Sequence, residues 1–122
     1  EPFLAVIRHF ADRRQPVASV CVASLALGAA GALAGRTATV YHQPGGKRRA
    51  QLESYGARFV DQALVIDGNL ISSTGPGTAT EVAFALLTDL TSEANSARIR
   101  ALMRVPRPAA AWWSEPQVPV SS

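Results

Sequence analysis

One cysteine and two histidines stand out in this 122-residue chain as side chains suited to nucleophilic or proton-transfer chemistry. Cys21 follows the apolar run Val17 to Val20 and precedes a stretch of Ala, Gly and Leu reaching Leu33. The first run reads as a short buried strand and the second as a small-residue helix, so the sulfur sits at a strand-to-helix junction. There, free helix N–H groups point at the side chain and the helix dipole favours the thiolate, the attacking form. Hydrolases expose a nucleophile on such a bend with backbone donors beside it for a developing oxyanion, and Val22 N–H is one such donor here. A lone cysteine also reads as a small buried hydrophobe, and the residues alone leave both readings open. His42 ends a second strand and suits the role of base or orienter for a thiol. His9 falls on the first helix as a surface residue. Cys21, His9 and His42 lack the paired spacing of zinc ligands, so no metal and no cofactor are expected.

The elements that would position these groups follow from apolar spacing and breakers. Phe3, Leu4, Ile7, Phe10 and Ala11 recur at helical spacing over Pro2 to Arg14, with Pro2 in the first turn and Gln15 and Pro16 as the stop. Val17 to Cys21 is too continuously apolar to have a wet face, as in a parallel sheet covered on both sides. A helix over Ala23 to Leu33 is expected to stop at Gly35, and Thr37 to Tyr41 is a β-branched strand that leads to the turn Pro44, Gly45, Gly46. Lys47 to Tyr55 reads as a short polar helix. Arg58 to Val60 and Ala63 to Ile66 read as strands, with Asp67 and Gly68 as a hairpin turn into Asn69 to Ser72. After the breakers Thr74 to Gly77, Thr78 and Glu81 form a capping-box pattern ahead of Val82, Ala85, Leu86 and Leu90. Thr91 and Ser92 cap a last helix, which Pro106 and Pro108 end. The tail over 106–122 is expected to be irregular, with Trp112 and Trp113 docking on another surface.

Composition sets the outer bounds. With 48% hydrophobic and 17% charged residues the chain is globular, which excludes disorder as its main state. Its length allows one core and one domain. A single Cys rules out an internal disulfide framework and fits a reducing compartment, so a cytoplasmic location is expected. The net charge of +3 comes from scattered groups such as Arg13 with Arg14 and Lys47 with Arg48 and Arg49. These read as solvated surface, and no nucleic-acid partner is expected. The charge-free segment from Pro16 to Gly35 is long enough for a membrane span but leans on Ala, Gly and Ser with three Leu, so it reads as two elements joined at Cys21. No membrane association and no signal peptide are expected. Because the chain begins with Glu1, a processed product or a piece of a longer gene product is expected.

The run S-V-C-V-A-S-L-A-L-G-A-A-G-A-L-A-G-R-T-A-T-V-Y-H from Ser19 to His42 resembles the nucleophile-elbow segment of the ThiJ/PfpI superfamily, whose fold is shared with class I glutamine amidotransferases. D-G-N-L-I-S-S-T-G-P-G-T-A-T-E from Asp67 to Glu81 is similar to that family's hairpin and helix start. The resemblance covers Phe3 to about Val105. It implies a flavodoxin-like α/β three-layer sandwich with a mainly parallel sheet, Cys21 as nucleophile, His42 close to it, and backbone donors at Val22, Gly75 and Gly77. Protease-like members carry His just after the Cys, whereas Val22 and Ala23 stand here, so a peptidase is not expected. Tyr41 stands for the family's aromatic neighbour of the His.

The family's elbow strand is preceded by several strands and by an acidic residue that hydrogen-bonds the Cys. The resemblance therefore implies only the C-terminal half of the domain, at residues 1–105 before the tail at 106–122, and a sheet incomplete in this chain. A companion polypeptide, either a separate subunit or a cleavage product, is expected to supply the N-terminal half and the acid, giving a hetero-oligomer whose units pair as a dimer. The implied activity is that of a Cys-dependent hydrolase, hydratase or lyase acting on a small electrophilic carbon, nearest the isonitrile hydratase branch, with His42 or the absent acid moving protons. The alternative is a non-catalytic sensing or assembly module of the same fold, in which Cys21 is oxidised or simply buried.

Overall fold

The computed structural model describes residues 2–116. Helix α1 (Pro2–Asp12) leads to β1 (Val17–Ser19), a 3-10 turn at Cys21–Ala23 and α2 (Ser24–Ala29). β2 (Thr37–Ala38), α3 (Arg48–Ser54) and β3 (Arg58–Phe59) come next. The hairpin of β4 (Leu64–Asp67) and β5 (Leu70–Ser73) then runs through a 3-10 turn at Pro76–Thr78 into α4 (Ala79–Leu90), α5 (Glu93–Met103) and the short α6 (Ala110–Ser114).

β1 pairs in parallel with β5, Val17 opposite Leu70, and β5 pairs antiparallel with β4. β2 and β3 form a separate parallel pair. Side chains alternate across a strand, and here the alternation divides the core. Leu70 and Val17 pack with Leu27, Leu33, Val40 and Leu52 on the side of α2 and α3. Ile71, Leu64 and Ala18 pack with Val82, Ala85 and Leu86 on the side of α4. Helices therefore cover both faces, which makes three layers. Leu33, Leu52 and Ile71 are fully buried, each contributing about 1.5–3 kcal/mol relative to an exposed side chain. β1 lies at the end of its sheet with β5 as its one strand partner among the described residues.

The helix after Cys21 is shorter than its Ala, Gly and Leu composition predicts. Gly31 adopts φ +81°, its N–H bonds the Gly28 carbonyl at 2.9 Å, and Ala32 N–H bonds the Leu27 carbonyl at 3.0 Å. These are the two bonds of a Schellman stop, so Gly31 rather than Gly35 ends the helix. The hairpin turn is displaced by one residue: Asp67 pairs with Leu70 inside the ladder, and the two-residue loop is Gly68 and Asn69. Gly68 has φ +59°, the position where a type II′ turn requires glycine. Asp67 is thereby free to cross-link the two sheets. Its Oδ2 accepts from Thr37 N–H at 2.7 Å and from Arg36 Nε at 3.2 Å. The Thr37 N–H first and the Arg36 guanidinium with it hold the Asp67 carboxyl below the usual carboxylate range, against the opposing effect of burial.

α4 begins after Thr78 as expected, but without a capping box. The Thr78 hydroxyl donates to the Gly75 carbonyl at 2.7 Å, and Glu81 turns away into the protein. Ser92 caps α5 by accepting from Asn95 N–H at 3.0 Å. The tail is less irregular than expected, since α6 forms within it and Trp112 and Trp113 meet edge to face at 4.7 Å. Trp113 reaches the cleft between α4 and α5, whereas the tail positions 117–122 lie outside the described residues. No described helix is long and apolar enough to cross a membrane.

Candidate active site

Parallel β1 ends at Ser19, and after the extended Val20 the chain turns at once into the 3-10 segment. That reversal is made by Cys21 itself, at φ +63°. A residue with a Cβ is strained in this left-handed region by about 1–3 kcal/mol, so the surrounding structure must hold it there. Three contacts do so. The Ser19 and Ser24 hydroxyls meet at 2.7 Å on either side of the bend, both buried. The Ser73 hydroxyl on β5 donates to the Ser19 carbonyl at 3.0 Å. Tyr41 N–H donates to the Cys21 carbonyl at 3.2 Å, tying the continuation of β2 to the elbow.

The side chain of Cys21 is partly exposed and its thiol is free. It opens into a cavity of about 350 Å³ whose wall includes Val22, Tyr41, Gln43, Lys47 and Arg48. Val22 N–H lies in the first turn of the 3-10 segment, where backbone donors lack intrahelical acceptors. The Gly75 backbone stands behind Tyr41, about 3.8 Å from its ring as measured from a would-be Cβ. Neither Gly75 nor Gly77 belongs to the cavity wall.

His42 is turned away from this cavity. Its Nδ1 donates to the Val40 carbonyl at 2.7 Å, its Nε2 lies 2.9 Å from Asp61 Oδ1, and its ring meets Phe59 edge to face at 4.9 Å. β2 stops at Ala38, short of the strand end expected at Tyr41, and in the irregular stretch beyond it Tyr41 borders the sulfur's cavity while His42 pairs with Asp61. Of the residues expected at the site, Cys21 and Val22 share the cavity, while His42, Gly75 and Gly77 do not line it. Lys47 and Arg48 are exposed, in keeping with their reading as surface, but sequence reasoning missed that they border the cavity, and it missed the pairing of Asp61 with His42. The signal for the first two was present in Gly45, Gly46, Lys47 and Arg48, a glycine turn that delivers two cations to a strand end. Among the described residues no group of three or more His, Cys, Asp or Glu converges as a metal site would require.

A larger cleft of about 640 Å³ opens between α4 and α5, bordered by Ile66, Thr88 and Trp113. Glu81 and Arg100, both buried, lie in its floor and satisfy each other.

The chain is 42% identical over 89 residues to an isonitrile hydratase from Pseudomonas putida, a match that covers 70% of this chain and 35% of that protein. It is 35% identical over 79 residues to a deglycase from Thermococcus kodakarensis, covering 63% of this chain and 44% of that one. The chain thus spans less than half the length of these relatives. Among solved structures, Drosophila melanogaster DJ-1beta superposes with a TM-score of 0.74 at 28% identity, covering 85% of this chain and 54% of that one. A ThiJ/PfpI family protein from Pseudomonas syringae gives 0.71 at 25% identity, covering 88% of this chain and 43% of that one. The three-layer arrangement is accordingly their flavodoxin-like α/β fold. The DJ-1/PfpI family profile takes in residues 1–89 of the 122, including both sheets and the elbow at Cys21, and the chain belongs to that family.

Proposed function

We propose that the chain is the Cys21-bearing part of a hydrolase, hydratase or lyase acting on a small electrophilic carbon. The observation that carries this reading is the left-handed backbone at Cys21, which turns the sulfur out of a buried strand into a cavity. The thiol proton passes to an acceptor, and a sulfur lone pair forms the S–C bond. The π pair moves onto the substrate heteroatom, which Val22 N–H stabilises. Where the adduct keeps a double bond, as the thioimidate of an isonitrile does once its carbon takes up the thiol's proton, water adds across it with one hydrogen going to nitrogen, and the S–C bond breaks with its pair returning to sulfur, which recovers a proton from the new hydroxyl. The 42% identity to an isonitrile hydratase supports that branch of the family.

The proton acceptor is assigned to a group outside the described residues. His42 is held between Val40 and Asp61, so its role is to fix the segment carrying Tyr41. We assign the missing strands and the acid to a companion polypeptide placed beside β1, the chain itself forming the C-terminal half of the domain. The edge position of β1 and the exposed Val6 and Phe10 of α1 support this assignment.

Iodoacetamide is expected to label Cys21 rapidly at pH 6.5. Labelling that becomes appreciable only above pH 8 would return the residue to the role of a structural hydrophobe. Mass spectrometry under non-denaturing conditions is expected to find this polypeptide bound to a second one, and a lone monomer would remove the companion.

A further inference from the structure

We infer that the Cys21 cavity selects an electrophile bearing an anionic group, a carboxylate or a phosphate, which Lys47 and Arg48 hold beside the sulfur. The inference rests on the reading of Cys21 as nucleophile and names the substrate class of that site. The cavity wall carries two cations and no acid; its other polar side chains are those of Tyr41 and Gln43. Several arginines elsewhere are matched: Arg36 with Asp67, Arg49 with Glu53 and Arg100 with Glu81. Arg48 meets the neutral Gln51 Oε1 at 3.4 Å, and Lys47 forms no ion pair among the described residues. Two uncompensated cations on one concave wall make the potential there positive, and the low-dielectric protein behind them focuses it.

The Tyr41 hydroxyl adds a neutral donor. Its oxygen accepts from Gln43 Nε2 at 2.8 Å, which leaves its own O–H to donate to a ligand. A cavity of about 350 Å³ suits a molecule of few heavy atoms rather than a peptide. The cations also answer a chemical difficulty specific to this substrate class. A thiolate and an anionic electrophile repel each other, and positive charges beside both offset that repulsion as the S–C bond forms.

Iodoacetate and iodoacetamide test this directly on the intact protein. With each reagent the sulfur forms a bond to carbon, the C–I bond breaks and iodide leaves with its pair, so the charge of the reagent is the main difference. The ratio of iodoacetate to iodoacetamide rates at Cys21 is expected to exceed that of N-acetylcysteine by about fivefold at low salt. It is expected to fall to the small thiol's value in the double variant Lys47→Gln, Arg48→Gln and in about 1 M salt, and to be unchanged in the double variant Arg98→Gln, Arg104→Gln, an equal change of charge on α5 and its C-terminal cap. Protection by pyruvate against protection by inorganic phosphate identifies which anion the cavity prefers. A ratio equal to that of N-acetylcysteine, or one unmoved by the double variant, overturns the inference while rapid iodoacetamide labelling leaves the nucleophile standing. Slow labelling by both reagents overturns the two together.

Discussion

Arg100→Ala is expected to lower the unfolding free energy by about 3–5 kcal/mol, because it strands a buried carboxylate. Arg100 on α5 donates to the two oxygens of Glu81 on α4 at 2.5 and 2.9 Å, and both residues are buried. Its guanidinium also lies 4.2 Å from the centroid of the Phe84 ring and donates to the Pro106 carbonyl at 3.2 Å. The Glu81 hydrogen bond, against the opposing effect of burial, holds the Arg100 guanidinium further above its ordinary range, so the guanidinium keeps its charge. Taking away the cation removes the charge that offset the cost of burying Glu81. The double variant Glu81→Met, Arg100→Met removes both charges and keeps the volume, and it is expected to recover most of the loss. Denaturant unfolding of Glu81→Met, of Arg100→Met and of the double variant measures the coupling. Arg100→Ala is also expected to shift tryptophan emission to the red under native conditions. Both tryptophans of the chain lie in α6, beyond the Pro106 contact, and Trp113 borders the same cleft as Arg100. A loss below about 1 kcal/mol, with additive effects in the double variant, would show that the pair is solvated.

That ion pair also marks where sequence reasoning stopped. Thr78 and Glu81 have the spacing of a capping box, and the same spacing puts Glu81 one turn into α4, facing α5. Which neighbour Glu81 takes depends on how α5 packs, and no local pattern encodes the packing of a residue 19 positions further on. The elbow was legible because it is local: an apolar strand, a Cys and a small-residue helix lie in sequence order, and the backbone reverses between them. Helix stops were legible as a class and misplaced in detail, since Gly31 and Gly35 are both left-handed and only the bonds to Gly28 and Leu27 show which one closes α2. His42 illustrates the remaining gap. The strand it was expected to end stops at Ala38, so Tyr41 and His42 lie in an irregular stretch whose course is set by tertiary contacts. There Tyr41 borders the cavity and His42 pairs with Asp61, a residue 19 positions further on.

Cys21→Gly is expected to yield a protein that is more stable and inert. At φ +63° a side chain with a Cβ is strained by about 1–2 kcal/mol, and glycine is not. Glycine gives back part of the gain through its larger unfolded-state entropy, so the net stabilisation relative to cysteine is about 0.5–1 kcal/mol. Cys21→Ala isolates the backbone contribution. It keeps the Cβ and the strain while losing the sulfur, and it is expected to be less stable than the glycine variant by about 1 kcal/mol. On the proposed mechanism, turnover of a small electrophilic substrate should fall by at least about a thousandfold in both variants, since the covalent step has no nucleophile. A fold that holds a strained cysteine where glycine would be easier stores energy in presenting the sulfur, and strain of this kind belongs to sites where geometry serves chemistry. Equal stability of the glycine and alanine variants would show that the turn at Cys21 is relaxed. Turnover that survives both would place the chemistry on another residue.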